Sequence, residues 1–367
     1  MSDLGTQLRD YYDAAVTLIE PEDVIEKRVP YVAHPPTVRH LATQQRGWVV
    51  ALSAAAVVLL VTVGVTWVTL RGRSSTPVDL VGAGPVPERV IFHAAIFDED
   101  TPGYSENYDL YAIDPDGSNL TQLTVTNANE EAASWAPDGS RIAFHSDADG
   151  SDSSSIYLMN PDGSDVIRLT EGVFPTWSPD GEQIAFEKIT DDGRSVWVIN
   201  TDGTREREVT NHAGYHSVPA WSPDGSRLVY ASDPNASPGD CEFSAPEGSC
   251  NYDIYTIDLD GSNPTRLTDH PTQDGFPDWS PDGTRIAFHS DRDGNWEIYT
   301  MNSDGTDLTN LTNAPALDGN PSWSPDGTQI VFTHGSTQLT YIMDADGSNP
   351  RLLTNLPPGA EALWPDW

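Results

Sequence analysis

Short stretches in which apolar and polar residues alternate recur throughout residues 89–367, and turn residues separate them. This period-two alternation is typical of β-strands with one buried face. Within one unit, four such stretches follow each other, at 277–279, 285–289, 296–301 and 307–312. The turns between them carry Pro-Asp-Gly or Asp-Gly, which favour tight reversals between antiparallel strands. The pattern therefore predicts a four-stranded antiparallel sheet for each unit.

The unit repeats along the chain with a tryptophan at each equivalent position. The six tryptophans are Trp135, Trp177, Trp221, Trp279, Trp323 and Trp367. Their spacings are 42, 44, 58, 44 and 44 residues, and a fixed period of this length is typical of propeller blades. We expect each indole to pack between neighbouring blades, where truncation to alanine costs roughly 3–5 kcal/mol.

The first unit has no tryptophan-turn motif of its own, and the C-terminus supplies one. Residues 365–367 repeat the Pro-Asp-Trp of residues 277–279. We therefore expect a composite first blade, with three strands from the start of the domain and the inner strand from the C-terminus. Such closure removes the open sheet edges through which β-proteins aggregate.

The segment 276–290 reads Phe-Pro-Asp-Trp-Ser-Pro-Asp-Gly-Thr-Arg-Ile-Ala-Phe-His-Ser, and Glu-Ile-Tyr-Thr-Met-Asn and Asp-Gly follow it. It resembles the TolB-type β-propeller repeat, which is a WD40-like repeat. The resemblance covers residues 89–367 and implies a propeller fold, although such propellers serve many unrelated functions. The α/β domain that precedes the propeller in TolB has no counterpart here, so we do not expect TolB itself.

These features predict an all-β fold: a six-bladed β-propeller closed by the composite first blade, preceded by one transmembrane helix and a short N-terminal tail. The expected domains are a cytoplasmic tail (1–47), a transmembrane helix (48–70), a flexible linker (71–87) and the propeller (88–367). The segment 48–70 carries no charged residue and is long enough to span a hydrocarbon layer of ~30 Å. In the tail, apolar residues at helical spacing between Leu8 and Ile19 predict a short amphipathic helix.

Both cysteines, Cys241 and Cys250, lie in an insertion within the longest unit. In a loop rich in proline, glycine and serine they favour a disulfide, and two free thiols are the alternative. Because disulfides persist in oxidising compartments, we expect the propeller outside the cell membrane and the N-terminus in the cytoplasm. The arginines beside segment 48–70 do not decide the orientation, since both sides carry them.

The chain has a net charge of −37. A field of this sign repels nucleic acid and anionic membrane surfaces, and it attracts cations, basic proteins or amino sugars. An acidic exterior that keeps the domain dispersed in solution is an equally good explanation.

The two tight turns of each unit join strands one and two and strands three and four, so both lie on one face of the disc, the tight-turn face. The remaining connections lie on the opposite face and contain the variation in length. We call this the variable-loop face, and its loops are 98–108, 146–155, 211–218, 232–251 and 269–275. Because variable loops on a rigid scaffold usually carry binding, we expect a protein, peptide or glycan to bind there.

Residues near the start of each inner strand are expected at the mouth of a central channel. Acids and a histidine occupy most of these positions: Glu130, His216, Asp274, Asp318 and Glu361. They could hold a cation or a basic group, or they could cap local turns. A second ring of positions ends strand two, and it includes three histidines that are either metal or catalytic groups or ordinary core side chains: His93, His145 and His289.

Two loops place acids at alternate positions, as calcium-binding loops do. The candidate metal ligands are Asp147, Asp149 and Asp152 in one loop and Asp291 and Asp293 in the other. Both loops are shorter than the twelve-residue calcium loop and lack its distal glutamate. The sequence therefore predicts no cofactor, with calcium as the one candidate.

No nucleophile elbow, phosphate loop, Cys-x-x-Cys or His-Glu-x-x-His motif occurs in the sequence. We therefore predict a membrane-anchored, extracytoplasmic binding protein with a single span and no enzymatic activity. The alternative is a metal-assisted polysaccharide lyase or hydrolase that acts at the mouth of the channel, because propellers can assemble sites from scattered histidines and acids.

Overall fold

A computed structural model of the protein describes residues 89–96, 105–150, 153–190, 193–211, 214–236, 241, 250–357 and 359–367. The expected tail, transmembrane helix and linker, at 1–47, 48–70 and 71–87, lie outside these residues. The described residues form twenty-four β-strands and no helix.

The strands follow one another in four kinds, which we name inner, second, third and outer. The inner strands are β4 (Glu130–Trp135), β8 (Val173–Trp177), β12 (Gly214–Trp221), β16 (Asp274–Trp279), β20 (Asp318–Trp323) and β24 (Ala360–Asp366). The second strands are β1 (Val90–Ile96), β5 (Ile142–Ser146), β9 (Gln183–Thr190), β13 (Arg227–Asp233), β17 (Arg285–Ser290) and β21 (Gln329–His334).

The third strands are β2 (Ser105–Ile113), β6 (Ser155–Met159), β10 (Gly193–Asn200), β14 (Asp253–Asp258), β18 (Glu297–Asn302) and β22 (Leu339–Asp344). The outer strands are β3 (Thr121–Gln122), β7 (Ile167–Glu171), β11 (Arg207–Glu208), β15 (Thr265–Arg266), β19 (Thr309–Asn310) and β23 (Arg351–Leu352). Second and third strands are the most buried, because each has a strand on both sides and a sheet on both faces.

The tryptophans lie between neighbouring repeats. Trp177 packs with Ile156 and Leu158 of the preceding repeat and with Ile184 of its own. Its indole Nε1 also donates a hydrogen bond to the Ser134 carbonyl oxygen of the preceding inner strand at 3.1 Å. Comparable apolar clusters fill the other interfaces between consecutive repeats, so the hydrophobic core is distributed around the ring.

The C-terminal strand closes the ring. β24 pairs antiparallel with β1, which places Ala362 opposite Ala94 and Asp366 opposite Ile91. One apolar cluster then joins Val90 and Phe92 of the first repeat to Val331 and Ile342 of the last. First and last repeats are therefore joined both by hydrogen bonds and by packing.

The predicted fold class is wrong in its number of blades. Four blades are separate four-stranded sheets, but the remaining eight strands, β8 to β15, form a single sheet. A parallel ladder causes this fusion, since Gly193 of β10 pairs with Gly214 of β12 and Arg194 pairs with Tyr215. At other interfaces the inner strand begins with one hydrogen bond to the preceding repeat, as from Asp318 N to Trp296 O at 2.8 Å.

The two glycines explain the close approach. A Cβ atom on Gly193 would lie 2.8 Å from the Gly214 carbonyl oxygen, and one on Gly214 would lie 2.7 Å from the Asp233 carbonyl oxygen. Their φ angles of +131° and +133° are also unfavourable for residues with a side chain. Glycine at both positions therefore allows β10 and β12 to pair, whereas the equivalent strands of the other repeats do not pair.

The expected transmembrane helix is also not part of the observed fold. No helix in the described part of the chain has the length and apolar character needed to cross a membrane. The observed architecture is an all-β propeller with four separate blades and one eight-stranded sheet.

Candidate functional site

A narrow channel runs between the inner strands and encloses about 120 Å³. Each inner strand contributes three consecutive residues to its wall, at 132–134, 174–176, 218–220, 276–278, 320–322 and 364–366. The first residue of each triplet lies in a β-bulge, where the register against the second strand shifts. These six residues adopt positive φ angles between 46° and 56°: Ala132, Phe174, Val218, Phe276, Asn320 and Trp364.

Large and small side chains alternate around this ring of bulges. The three aromatic rings contact each other, with centroids 5.9 Å apart for Phe174 and Phe276, 5.1 Å for Phe174 and Trp364, and 5.9 Å for Phe276 and Trp364. They pack in one cluster with Ala132 and Val218. We call this cluster the aromatic plug. The residues of the plug form the first position of five of the six triplets in the channel wall.

The predicted ring of histidines at the ends of the second strands supports the plug. His93 Nδ1 accepts a hydrogen bond from the Ala132 backbone N–H at 3.4 Å, and His145 Nδ1 accepts one from the Phe174 N–H at 3.4 Å. Both are backbone groups of the next inner strand, at the bulge. Burial lowers the pKa of His93 to about 4 and that of His289 to about 3, so both rings are neutral in the folded protein.

The predicted channel-mouth residues lie at the start of the inner strands, and four of the five are almost fully buried: Glu130, His216, Asp274 and Asp318. His216, Asp274 and Asp318 contact a partner in their own repeat, and none of the five is among the residues that line the channel. Asp274 Oδ1 pairs with the Arg292 guanidinium at 2.8 Å, and Asp318 Oδ1 lies 2.5 Å from His334 Nδ1.

Two more of the five predicted channel-mouth residues, His216 and Glu361, also have hydrogen-bond partners. His216 Nδ1 lies 2.8 Å from the Ser232 hydroxyl, and Glu361 Oε2 accepts a hydrogen bond from the Tyr108 hydroxyl at 2.8 Å. The structure therefore separates the five residues into local networks around the ring, and ligand binding by them stays a prediction.

Glu130 differs from the other four in its surroundings. Its Oε1 atom accepts a hydrogen bond from the Thr126 hydroxyl at 2.5 Å, but its buried Oε2 atom has no hydrogen-bond partner among the described residues. Burial raises the pKa of the Glu130 carboxyl to about 7, and the nearby carboxylates of Asp109 and Asp147 add to this effect. The hydroxyls of Thr126 and Ser146 both donate to Oε1 of this carboxyl group, and they offset the effect of burial only in part.

Two acids in the channel were not identified from the sequence. Asp278 and Asp366 both line the channel below the plug, on the side of the tight-turn face. Burial raises the pKa of Asp278 to about 7 and that of Asp366 to about 6. The signal in the sequence is the Pro-Asp-Trp that occurs in only two repeats, which supported the closure of the ring but not a role for its aspartate.

The channel acids are held by hydrogen bonds from neighbouring repeats, the next one for Asp278 and the preceding one for Asp366. The Trp323 backbone N–H donates to Asp278 Oδ2 at 2.8 Å, and the Ser322 hydroxyl donates to Asp366 Oδ1 at 3.1 Å. Equivalent positions carry Ser134 and Thr176. Side-chain oxygens therefore surround this mouth, which is suited to binding water, a cation or a basic group.

The predicted calcium loops direct their carboxylates to separate partners. Asp147 Oδ1 accepts a hydrogen bond from the Asn129 backbone N–H at 2.9 Å, and Asp149 Oδ2 pairs with the Arg168 guanidinium at 3.1 Å. Asp293 accepts a hydrogen bond from the Tyr299 hydroxyl, and Asp291 lies at the start of the same turn. Asp152 lies outside the described residues. Calcium binding by these loops stays a prediction.

The predicted disulfide is present, between Cys241 and Cys250, with Cα atoms 5.1 Å apart. Among the described residues, only Asp233 and these two sulfurs form a group of three possible metal ligands with atoms within 4.8 Å of one another. Because both thiols are consumed by the disulfide, this group is not a metal site. The disulfide closes residues 241–250 into a covalent loop, and its sulfurs lie near Asp233 at the end of β13.

Part of the acid excess belongs to the tight turns. In all four Ser-Pro-Asp-Gly turns, a serine hydroxyl donates to the aspartate two residues later, at 2.6 Å to Asp180, 2.7 Å to Asp224 and Asp282 and 2.8 Å to Asp326. These hydrogen bonds lower the pKa of each aspartate, so the turns favour ionised carboxylates. The ionised aspartates of the tight-turn face therefore stabilise the turns by accepting these hydrogen bonds.

Comparisons with known proteins agree with this fold. Residues 242–359 match the family described as the TolB beta propeller domain. The Protein TolB homolog of Chlorobium luteolum is 29% identical over 172 residues, which cover 47% of this chain and 35% of that protein. Dipeptidyl-peptidase 5 of Porphyromonas gingivalis is 32% identical over 239 residues, which cover 51% of this chain and 34% of that protein.

The chain thus spans about a third of the length of these two relatives. Among solved structures, TolB from Acinetobacter baumannii superposes with a TM-score of 0.62 at 22% identity, over 77% of this chain and 67% of that one. At this identity the likeness concerns the fold. The chain is therefore similar to TolB-type β-propeller proteins: residues 242–359 match their propeller domain, and the described residues share the fold.

Proposed function

We propose that the propeller binds a protein or peptide partner through its variable-loop face. One observation carries the proposal: connections on this face differ in length from repeat to repeat, whereas the tight turns are uniform. The Gly N–H closes the turn at 2.8 Å in each of the five Pro-Asp-Gly turns, those ending at Gly139, Gly181, Gly225, Gly283 and Gly327. On the opposite face, the link between β21 and β22 is short, whereas 234–252 is a long, disulfide-fixed insertion.

The charge of the chain favours a partner that presents lysine or arginine. A net charge of −37 attracts basic surfaces and accelerates their association, and salt weakens this effect. Exposed acids such as Glu171 and Asp269 lie at the variable-loop ends of the repeats, where they are available to a partner. A neutral glycan would not depend on salt in this way, so ionic strength separates the two classes of ligand.

We further propose that this face is displayed outside the cytoplasm, attached to a membrane through segment 48–70. The disulfide supports the oxidising compartment, and the absence of charge from 48–70 supports the attachment. Protease added to intact cells should degrade the propeller and leave the N-terminal tail protected. Protection of the propeller in intact cells would contradict this placement.

The binding proposal can be tested with two matched double variants. Glu171→Gln with Asp269→Asn removes two charges from the variable-loop face, and Glu182→Gln with Asp307→Asn removes two from the tight-turn face. Asp307 has a φ of 59°, which asparagine also adopts readily, so the control substitution is mild.

The full-length protein, immobilised in detergent, is used to capture envelope proteins at low and high salt. We expect the variable-loop variant to capture its specific partners several-fold less at low salt, and the tight-turn variant to match the parent protein. Equal capture by both variants, or loss only in the tight-turn variant, would contradict the choice of face. Capture that is insensitive to salt would contradict a basic partner.

A further inference from the structure

Two grooves on the tight-turn face have the same lining, although they lie three repeats apart in the ring. The first turn groove lies between the repeats of β4 to β7 and β8 to β11 and has a volume of about 400 Å³. The second turn groove lies between the repeats of β16 to β19 and β20 to β23 and has a volume of about 550 Å³. Both are lined by equivalent residues: Pro137, Asp138, Arg141, Trp177, Asp180 and Gly181 in the first, and Pro281, Asp282, Arg285, Trp323, Asp326 and Gly327 in the second.

The equivalent arginine has an acidic partner in two other repeats. Arg89 Nε donates to Asp114 Oδ1, and Arg227 Nε donates to Asp258 Oδ1, both at 3.0 Å. In these repeats the aspartate lies at the end of the third strand, opposite the arginine at the start of the second, as Asp258 lies opposite Arg227 in the ladder of β13 and β14. The fold therefore contains a ready position for a counter-ion to this arginine.

In the two repeats that supply the groove arginines, the acid stands elsewhere. Asn302 lies opposite Arg285 in the ladder of β17 and β18, and Asn160 holds the equivalent place in the repeat of the first groove. The acids Asp165 and Asp307 come five residues later, at positions where the repeats with the paired arginine carry asparagine.

This swap of aspartate and asparagine leaves both groove arginines without a counter-ion. The Nε atoms of Arg141 and Arg285 are buried and have no hydrogen-bond partner among the described residues. Arg285 Nη2 donates to the Thr300 hydroxyl at 2.5 Å, and no described carboxylate forms an ion pair with either arginine. Because a guanidinium keeps its charge and has five N–H donors, each groove contains hydrogen-bond donors that the protein does not use.

The groove aspartates supply acceptors in a fixed position. Asp282 Oδ1 accepts hydrogen bonds from the Ser280 hydroxyl at 2.7 Å and the Thr284 backbone N–H at 3.0 Å. Asp326 Oδ1 is held in the same way by its own turn. No described residue donates to the Oδ2 atom of either aspartate, so one oxygen of each carboxylate is available to a ligand.

A guanidinium with two carboxylates in one groove restricts the class of ligand. A free anion would approach two ionised aspartates against a net charge of −37. A cation would leave the buried Nε donor unpaired, which costs free energy. A neutral sugar satisfies both, because each hydroxyl donates and accepts, so adjacent hydroxyls can bond to the arginine and to the aspartates. The exposed rings of Pro137 and Pro281 offer apolar surface to the C–H groups of a sugar ring.

We propose that each turn groove binds a neutral saccharide. Arg141 in the first groove and Arg285 in the second donate to its hydroxyl groups, and the turn aspartates accept from them. Both groove volumes lie in the range of small-ligand sites. The two sites lie on the face opposite the variable loops, so they are independent of the protein or peptide partner proposed above.

The test is saturation-transfer NMR of the full-length protein, in a detergent without a sugar head group, with glucose, galactose, mannose and N-acetylglucosamine at millimolar concentration. We expect transfer to at least one of these sugars. Isothermal titration with that sugar should give two sites per chain, because the grooves are equivalent. No transfer to any of the four sugars would overturn the proposal.

The most informative variant exchanges two residues beside the second groove. Asn302→Asp with Asp307→Asn keeps the net charge and copies Asp258 and Asn263, where the Asn263 amide donates to Asp258 Oδ2 at 2.7 Å. The introduced carboxylate should pair with Arg285, so the melting temperature should stay the same or rise. Sugar binding should fall from two sites per chain to one, or weaken at least tenfold at one site. Because the fold already contains this pair, unfolding would not explain such a loss.

Two arginine variants complete the test. Arg285→Gln introduces the side chain present at the equivalent Gln329 and should also remove one site. Arg227→Gln is the matched control, since Arg227 is already paired with Asp258 and both sites should remain. Two sites of unchanged affinity in the exchange variant or in Arg285→Gln, or loss of binding in Arg227→Gln, would overturn the proposal. Binding of acetate or phosphate in place of any sugar would also overturn it, because the grooves would then be anion sites.

Discussion

Replacement of the channel acid Asp278 by asparagine should stabilise the protein at pH 8. The pKa of Asp278 in the folded protein is about 7, above its ordinary value of 3.8. The folded state therefore keeps a proton that the unfolded chain has already released between these two values. Linkage then requires stability to fall as the pH rises from about 4 to about 7, and the asparagine variant has no such dependence.

The size of the stability change follows from the shift in the pKa of Asp278. At 1.36 kcal/mol for each pH unit, a rise from 3.8 to about 7 corresponds to about 4 kcal/mol. Asp278 keeps part of its surface toward the channel, so water reduces this to roughly 2 kcal/mol. The asparagine oxygen can still accept the hydrogen bond from the Trp323 N–H. We therefore expect the free energy of unfolding of Asp278→Asn to exceed that of the parent protein by about 1–2 kcal/mol at pH 8 and to equal it at pH 4.

Urea unfolding of the parent protein and Asp278→Asn, followed by tryptophan fluorescence between pH 4 and pH 8, measures this difference. The difference between the two proteins isolates Asp278 from other titrating groups. Asp282→Asn is the control of opposite sign, because a serine hydroxyl lowers the pKa of Asp282 and its loss should destabilise the protein above pH 4. Parallel stability curves for the parent and Asp278→Asn would refute the reasoning.

Three other substitutions test different parts of the ring. Burial lowers the pKa of His289 to about 3, so the stability of the parent protein should fall as the pH drops from 6.5. In His289→Gln the melting temperature should depend less on pH between pH 6.5 and pH 4. Gly214→Ala should lower the free energy of unfolding by roughly 1–3 kcal/mol, because its Cβ would lie 2.7 Å from the Asp233 carbonyl oxygen. Gly150→Ala meets nothing within 4 Å and should cost less, and an equal loss in urea unfolding would contradict the clash. Trp364→Ala removes one ring of the aromatic plug and should cost roughly 3–5 kcal/mol in the same assay, whereas a loss below 1 kcal/mol would show that the plug is not packed.

The strands and turns could be predicted because local chemistry determines them. The hydrogen bond between Ser280 and Asp282 forms within the turn itself, so the turn does not depend on neighbouring repeats. The apolar residues in 285–289 indicate a strand, and the structure buries that strand on both faces. The pairing of the C-terminal segment with β1 also followed from the sequence, since Pro-Asp-Trp at 365–367 matches an inner strand elsewhere.

The number of separate blades depended on contacts that the sequence pattern does not report. Gly193 and Gly214 are ordinary loop glycines in the sequence, and only the structure shows that their backbones pair. The repeat period counts units of sequence, but a hydrogen-bonded ladder between two units merges their sheets. Six repeats therefore produced four separate blades and one larger sheet.

The sequence does not show the bulges that decide which residues face the channel. Residues such as Asp274 are expected near the channel mouth from the sequence because they lie near the start of the inner strands. The bulge at Phe276 shifts the register between Gly275 and Asp278, which directs Asp278 toward the channel instead. Asp274 is left buried against Arg292. Ligand binding by the predicted acids stays a prediction, and their hydrogen-bond partners could be identified only from the structure.

The binding face of the propeller is tested most directly by hydrogen exchange of the full-length protein with and without a captured partner. We predict slower exchange in the variable loops, above all in 147–154 and 250–252 beside the disulfide, and unchanged exchange in the tight turns at 136–139 and 280–283. Protection confined to those tight turns would contradict the assignment of the variable-loop face as the binding surface.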